Sequence, residues 1–434
     1  MKYFLLIILF CCSRFLVAQY ENVSTYSGTS NSGYFNGNLE NARYFFPYGL
    51  SFEGDKTIYL ADALNHCIRK IDISTGQVTT FAGTTSSGFS DGVGTNARFY
   101  SPTGTFYKNG YVYVADNLNN AIRKIEVSSG IVTTVAGTGF PGIANGLAAN
   151  AEFYQPKSLV VDDSGAIYVA DYENHSIRKI KNGIVSTFAG ENGVAGNADG
   201  ILSVSQFHRP RDLTFDLQGN LFVCDLMNNL IRKISNGNVT TFAGNGSAGG
   251  NDGIGTQATF NHPAGIEFYK GELYVVDGVG NKIRKIRPDG TTTTIAGSGT
   301  FGYEDGVCSN ASFSLPQDLT IDHEGNIYVS DRDNNVIRVI KNTAISISET
   351  TTEKNLLKIY PNPSSDLIRI EFPKYLGEEN YELSLINAHG EQLLQLKIKG
   401  SATTLNVKEY SKGIYFLKLI SSNKSISTTK LILD

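Results

Sequence analysis

YVADNLNNAIRKI, from Tyr113 to Ile125, decides the fold. An apolar run reaches a turn at Asp116 and resumes after Asn120, which predicts two strands joined by a short connection. The pattern returns as YLADALNHCIRKI from Tyr59, YVADYENHSIRKI from Tyr168, FVCDLMNNLIRKI from Phe222, YVVDGVGNKIRKI from Tyr274 and YVSDRDNNVIRVI from Tyr328. The period is about 54 residues, in the range of propellers and solenoids. In every copy an Asp precedes an Arg by seven positions: Asp62 and Arg69, Asp116 and Arg123, Asp171 and Arg178, Asp225 and Arg232, Asp277 and Arg284, Asp331 and Arg338.

Outward from this anchor each unit reads as four strands, in the first copy roughly GLSF, TIYLAD, CIRKID and VTTFAG. One unit is therefore one four-stranded blade. A Gly-rich loop follows, and the next copy opens on Pro47, Pro102, Pro156, Pro210, Pro263 or Pro316, a place where no ladder N–H is owed. A lone blade leaves both apolar faces uncovered, so blades must stack around an axis. The sixth unit stops at Asn342 without its VTTFAG strand, whereas VSTYSGTSNSGYFNGNLENARY from Val23 matches VTTFAGTTSSGFSDGVGTNARF from Val78. The expectation is an all-β, six-bladed β-propeller over residues 19–342, closed by its N-terminal strand.

Composition agrees: 45 Gly, 23 Tyr and 24 Phe with 18% charged residues suit short strands and tight turns. A formal net charge of -4 supplies no field that would draw nucleic acid or an anionic membrane. Lys2, the apolar run from Tyr3 to Cys12 and Ala18 read as a signal peptide over 1–18, with a run too short for a transmembrane segment. Its removal leaves Cys67, Cys224 and Cys308, an odd number at non-equivalent places in the repeat, so no disulfide framework follows.

The D-x-x-N-x-x-I-R pattern, with Asn65-His66 and Asn174-His175 after the blade Asp, resembles the NHL repeat; the Leu of that motif does not follow. The long interblade loops, with their A-G-x-G and D-G-x-x-x-x-A-x-F-x-x-P flow, are similar to the NHL propeller of teneurins. The resemblance is specific for fold and silent on function. TAISISETTTEKN reads as a linker, assigned to 343–355. Beyond it, over 356–434, alternating apolar positions predict a small immunoglobulin-like β-sandwich, with Asn387-Ala388-His389-Gly390 as a hairpin turn. Tyr360-Pro361-Asn362-Pro363, Gly390, and Gly413-Ile414-Tyr415 with the terminal Lys430-Leu431 strand resemble the type A C-terminal sorting domain of the type IX secretion system of Bacteroidota. That resemblance implies type IX machinery as a partner, export across the outer membrane, and a product that is extracellular or attached to the cell surface.

Groups repeated in every blade serve the blade, so the six Asp/Arg pairs are expected to be structural, each Asp accepting backbone N–H bonds and pairing with Arg on the next strand. The three G-x-G-x-x-G stretches, from Gly137, Gly244 and Gly297, open no helix and read as loop glycines. The Asp-Gly and Asn-Gly steps, such as Asp91-Gly92, read as tight turns rather than calcium loops. The Arg-Lys steps point to opposite faces of a strand and make no basic patch. Function on a symmetric scaffold sits where the repeat is broken. The residues flanking the strand-opening Pro differ between copies, and they single out His208, Arg209, Arg211, Asp212, His262 and Asp318 as ligand-binding candidates at the channel rim. No catalytic residue, metal site or cofactor is assigned. The expected function is a secreted or surface-displayed binding module for a protein or glycan; the alternative is a propeller hydrolase or lyase, gluconolactonase-like or streptogramin-lyase-like, with its site at the channel.

Overall fold

The computed structural model describes residues 20–343, 357–371, 381–387, 392–398, 402–421 and 424–433. The signal peptide, the linker from Ala344 onward and the predicted turn at Ala388 to Gly390 lie outside them. Two compact units divide after Thr343.

Among the described residues the first unit contains six five-stranded antiparallel sheets built alike. In the first, Pro47–Glu53, Thr57–Asp62, Cys67–Asp72 and Gln77–Gly83 are joined in chain order, and the two-residue strand Gly37–Asn38 pairs along the outer edge. That fifth strand is a departure from the four read in the sequence. The Gly of each Asx-Gly loop and the residue after it pair with the fourth strand of the next copy, as Gly92 does with Val132 and Val93 with Ile131. A loop that looked like the tail of one unit is thus an edge of the following one. In the remaining sheet, Pro316–Ile321, Ile327–Asp331 and Val336–Asn342 are followed by Tyr20–Ser27, with Val23 opposite Ile340 and Thr25 opposite Arg338. The opening Pro strands lie side by side in order, and Pro316–Ile321 lies beside Pro47–Glu53.

The repeat tripeptide does its work in the backbone. After the blade Asp the chain makes a tight turn whose last residue is left-handed: His66, Asn120, His175, Asn229, Asn281 and Asn335 have φ between 48° and 55°. Asn is enriched in that conformation, as is His. The same side chains then accept the N–H of the residue before the next sheet's Pro. His66 Nδ1 takes Ser101, Asn120 Oδ1 takes Gln155, His175 Nδ1 takes Arg209, Asn229 takes His262, Asn281 takes Leu315, and Asn335 takes Phe46. The Asn/His choice is therefore a choice of acceptor that laces neighbouring sheets.

The Asp/Arg pairs are wholly buried. Arg123 Nη1 lies 2.7 Å from Asp116 Oδ2, its Nη2 bonds Ser90 O and Asp91 Oδ1 at 2.8 Å, and its guanidinium sits 5.1 Å from the centroids of Phe89 and Phe99. Asp116 also accepts from Tyr100 N and Asn119 Nδ2. The other pairs span 2.6 to 3.0 Å. The Asx-Gly residue of the loop, read above as turn chemistry, is thus also the outer acceptor for each Arg; in the first and third sheets that acceptor is neutral Asn36 and Asn145. Tyr44, Phe99, Phe153, Phe207, Phe260 and Phe313, the aromatic residue that follows each loop, are fully buried beneath the guanidinium groups. The three cysteines are free and buried, consistent with small apolar packing.

In the second unit Lys358–Tyr360, Leu367–Glu371 and Ala402–Asn406 form one antiparallel sheet. Gln392–Ile398, Tyr381–Asn387, Gly413–Ser421 and Lys424–Leu433 form the other, in that spatial order. Ile368 and Ile370 of the first share a core with Leu383, Leu385, Leu417, Leu419 and Leu431 of the second. The Tyr360-Pro361 and Asn362-Pro363 bonds are cis. Asn362 between them donates to Lys430 O and accepts from Ile432 N, which fastens the opening motif to the last strand.

Candidate functional site

Strand alternation fixes which residues of the opening Pro strands share a face. Counting from each opening Pro, the residues two and four positions on fall on that face. The first set is Gly49, Gly104, Ser158, Asp212, Gly265 and Asp318; the second is Ser51, Phe106, Val160, Thr214, Glu267 and Thr320. A cavity of about 280 Å³ is lined by residues two to five positions past the Pro, including Ser158, Asp212, Glu267 and Asp318. A neck of about 20 Å³ adjoins it, lined by Tyr48, Gly49, Thr103, Gly104, Lys157, Ser158, Arg211, Asp212, Ala264, Gln317 and Asp318.

Glycine at the second position is forced where the sheets crowd. A Cβ on Gly49 would meet Thr103 O at 2.4 Å, and one on Gly265 would meet Asp318 Cα at 2.8 Å. Where a carboxylate occupies the position it reaches across to the next sheet: Asp212 Oδ2 accepts from Ile266 N at 2.7 Å and Asp318 Oδ2 from Leu50 N at 2.8 Å. Burial raises the pKa of Asp212, and burial together with the Asp212 charge lifts Asp318 well above the ordinary carboxylate range. Burial and the nearby Asp318 charge do the same to Glu267. The cavity thus carries three carboxyls that burial pushes toward the neutral form.

The neck adds cations and aromatic rings to the carboxyls of Asp212 and Asp318. Arg211, 8% exposed, donates Nη2 to Gln317 Oε1 at 2.5 Å and lies 5.4 Å from the centroid of Tyr48. Lys157 sits 5.2 Å above the Tyr172 ring, with Asn117 Oδ1 at 3.4 Å. Arg332 packs over Phe46 and Tyr48, and its Nη1 is 3.4 Å from the Tyr48 hydroxyl. Burial, and then the neighbouring Arg211, bring Lys157 down to about 8. Burial opposes ionisation of Tyr48, but Arg211, Lys157 and Arg332 together outweigh it and lower its pKa. Arg209 and Arg332 have carboxylate partners, Glu173 and Asp333, at 3.0 and 2.7 Å.

Of the six sequence candidates, Arg211, Asp212 and Asp318 come together at the neck. Arg209 lies one step out, beside Tyr172. His208 and His262 line neither cavity: His208 packs edge-on against His175, and His262 is left-handed, with its N–H held by Asn229 and its Nδ1 beside Asn261 Oδ1. Sequence reasoning missed Glu267, which the same alternation points into the cavity two residues past Gly265, and it did not single out Tyr48, Lys157 and Gln317, each the residue after an opening Pro. Among the described residues no group of three or more His, Cys, Asp or Glu side chains is placed to hold a metal ion, and no helix is long and apolar enough to cross a membrane.

Comparison with known proteins gives two family matches: NHL repeat over residues 153–180 and secretion system C-terminal sorting domain over residues 358–434. NHL repeat-containing protein 2 of Gallus gallus is 29% identical over 341 residues, covering 68% of this chain and 47% of that protein. Teneurin-4 of Homo sapiens is 27% identical over 355 residues, covering 70% and 12%. The chain thus spans less than half the length of these curated relatives. A structural genomics protein of unknown function from Bacteroides thetaiotaomicron superposes with TM-score 0.59 at 21% identity, covering 74% of this chain and 75% of its own. An auxiliary nutrient binding protein from Bacteroides ovatus does so with TM-score 0.57 at 19% identity, covering 74% and 77%. These two likenesses speak to fold alone. With the blade anchors, the repeated sheets and the fastened YPNP motif already in place, these matches make the chain one that carries the NHL repeat and ends in a secretion-system C-terminal sorting domain.

Proposed function

We propose that the six sheets are the blades of one closed propeller, that the C-terminal unit routes it through the type IX secretion system, and that the exported propeller is a binding module whose ligand seats at the axial channel. Closure is supported by the pairing of Val23 with Ile340 and by the bonds that run from Asn335 to Phe46 and from Asp318 to Leu50. The observation that carries the binding site is the loss of symmetry at the neck. The blade-holding groups repeat six times, whereas Tyr48, Thr103, Lys157, Arg211, Ala264 and Gln317 occupy equivalent positions and do not repeat one chemistry. Selection for the blade alone would not need a buried Arg and a half-buried Lys there without carboxylate partners, because an unpaired buried charge destabilises a fold. A catalytic reading as a hydrolase or lyase would need a metal-ligating set or a His/Glu constellation at the channel, and His208 and His262 lie outside its lining. The test is a glycan and peptide binding screen on the full chain, run beside Arg211→Met. Ligands retained by the parent protein and lost by the variant are expected; a ligand that binds both equally would move the site off the axis.

A further inference from the structure

At the neck two cations lack an ion-pair partner, while the carboxyls of Asp212 and Asp318, which line the same space, are pushed toward the neutral form by burial. Arg211 is bonded to an amide oxygen and Lys157 faces an amide oxygen and a ring; among the described residues neither is ion-paired with a carboxylate. Arg332 brings a third cation to the same Tyr48 hydroxyl. The electrostatic deficit calls for an anion. The space is small: about 20 Å³ exceeds what one water needs but is far below the volume of a sugar ring or an amino-acid side chain. A two-oxygen planar group suits that volume and the fork of a guanidinium better than a four-oxygen tetrahedral one. Whatever bears the group must stay outside the neck, where the partly exposed rings of Tyr172 and Phe46 offer the apolar surfaces against which saccharide rings pack.

We infer that the axial neck is a carboxylate-binding subsite, in which Arg211 and Lys157 hold the acid group of a uronate-type saccharide whose ring rests on the Tyr172 side of the mouth. The inference rests on the axial site proposed above and assigns its ligand class. Arg211 donates in pairs to the carboxylate, Lys157 adds a point charge, and Tyr48 with Gln317 holds the guanidinium in place.

Isothermal titration of the full chain with D-glucuronate, D-glucose, N-acetylglycine and inorganic sulfate tests it. Glucuronate is expected to bind, with glucose at least tenfold weaker and N-acetylglycine and sulfate intermediate or weaker. Arg211→Met and Lys157→Met should each weaken glucuronate about ten- to a hundredfold, the usual worth of a charge-assisted hydrogen bond; Arg287→Met, an exposed cation on the fifth sheet, should leave it unchanged. Unaltered far-ultraviolet circular dichroism of the variants separates lost binding from lost fold. Glucose binding as tightly as glucuronate, with loss in Arg211→Met, would overturn the carboxylate assignment and leave the axial site standing. Sulfate or N-acetylglycine matching glucuronate would overturn the saccharide assignment. Glucuronate affinity indifferent to both neck variants would overturn the subsite together with the axial reading.

Discussion

Replacing Arg123 by Met isolates what one buried Asp/Arg pair contributes to its sheet. Arg123 makes four hydrogen bonds: to Asp116 Oδ2, Arg98 O, Ser90 O and Asp91 Oδ1. Met keeps the apolar stem between Phe89 and Phe99 and removes all four. Asp116, fully buried, would keep only Tyr100 N and Asn119 Nδ2. Removing one partner of a buried pair costs about 3–5 kcal/mol, mostly because the other charge is stranded. Asp91 is half exposed, so Asp91→Ala removes one end of the same Arg with water at hand to replace it, at about 1 kcal/mol. Asp116→Asn preserves shape and strands the Arg instead. Adding Asp116→Asn to Arg123→Met should restore part of the loss, since no lone charge is then buried. Urea unfolding of the full chain, followed by circular dichroism and by Tyr emission because the chain has no Trp, ranks the four variants. If Arg123→Met were no more destabilising than Asp91→Ala, or if the double variant lost the sum of the singles, stranded charge would be the wrong account of why the pair recurs.

Four further outcomes follow from the geometry. Lys157, brought down to about 8 by burial, Arg211 and Arg332 against the opposing pull of Tyr48 and Glu173, is charged at pH 7 and neutral by pH 9, so glucuronate affinity should fall through pH 8 and the slope should vanish in Lys157→Met. The unfolded chain takes up that proton at the ordinary Lys pKa, so this group makes the fold less stable below about 8, and its penalty fades as pH rises toward the unfolded value; urea midpoints across that window report it. Gly49→Ala would drive a Cβ into Thr103 O and Thr105 N, at 2.4 and 2.8 Å from its ideal position, and should lower the unfolding free energy measured in urea by about 2 kcal/mol or more, whereas Gly54→Ala, with nothing within 4 Å, carries only the strain of its positive φ at about 1 kcal/mol. Val23→Asp places a charge at a site that is 1% exposed and paired with Ile340; limited proteolysis should then cut near residues 20–30 faster than elsewhere, and an unchanged digestion pattern would argue against closure by that strand.

The anchors were legible because strand, turn and strand are local chemistry. An alternating apolar run, an Asp at the turn and an Arg seven residues later repeat in the sequence as plainly as in space, and the matching of Val23 onward with Val78 onward exposed the pairing that the Tyr20–Ser27 strand makes. The local code also pointed to residues flanking the opening Pro. It could not rank them: His208 and Asp212 stand four positions apart on one strand entry, yet one meets His175 and the other lines the neck.

By itself, then, the sequence determined the repeat, the strand order within it, the pairing of each Asp with its Arg and the motifs of the C-terminal unit, all of which rest on neighbours close along the chain. Tertiary structure alone decided which side chains of separate sheets meet at the neck. Arg211, Gln317, Tyr48 and Lys157 come from four sheets, and no periodicity relates residues whose only connection is that separate strands turn them toward one narrow space. The same holds for the loop Asx that completes each Arg: its partner is about 32 residues away, and only the pairing of the Gly after the Asx along the outer edge of that Arg's sheet brings it there.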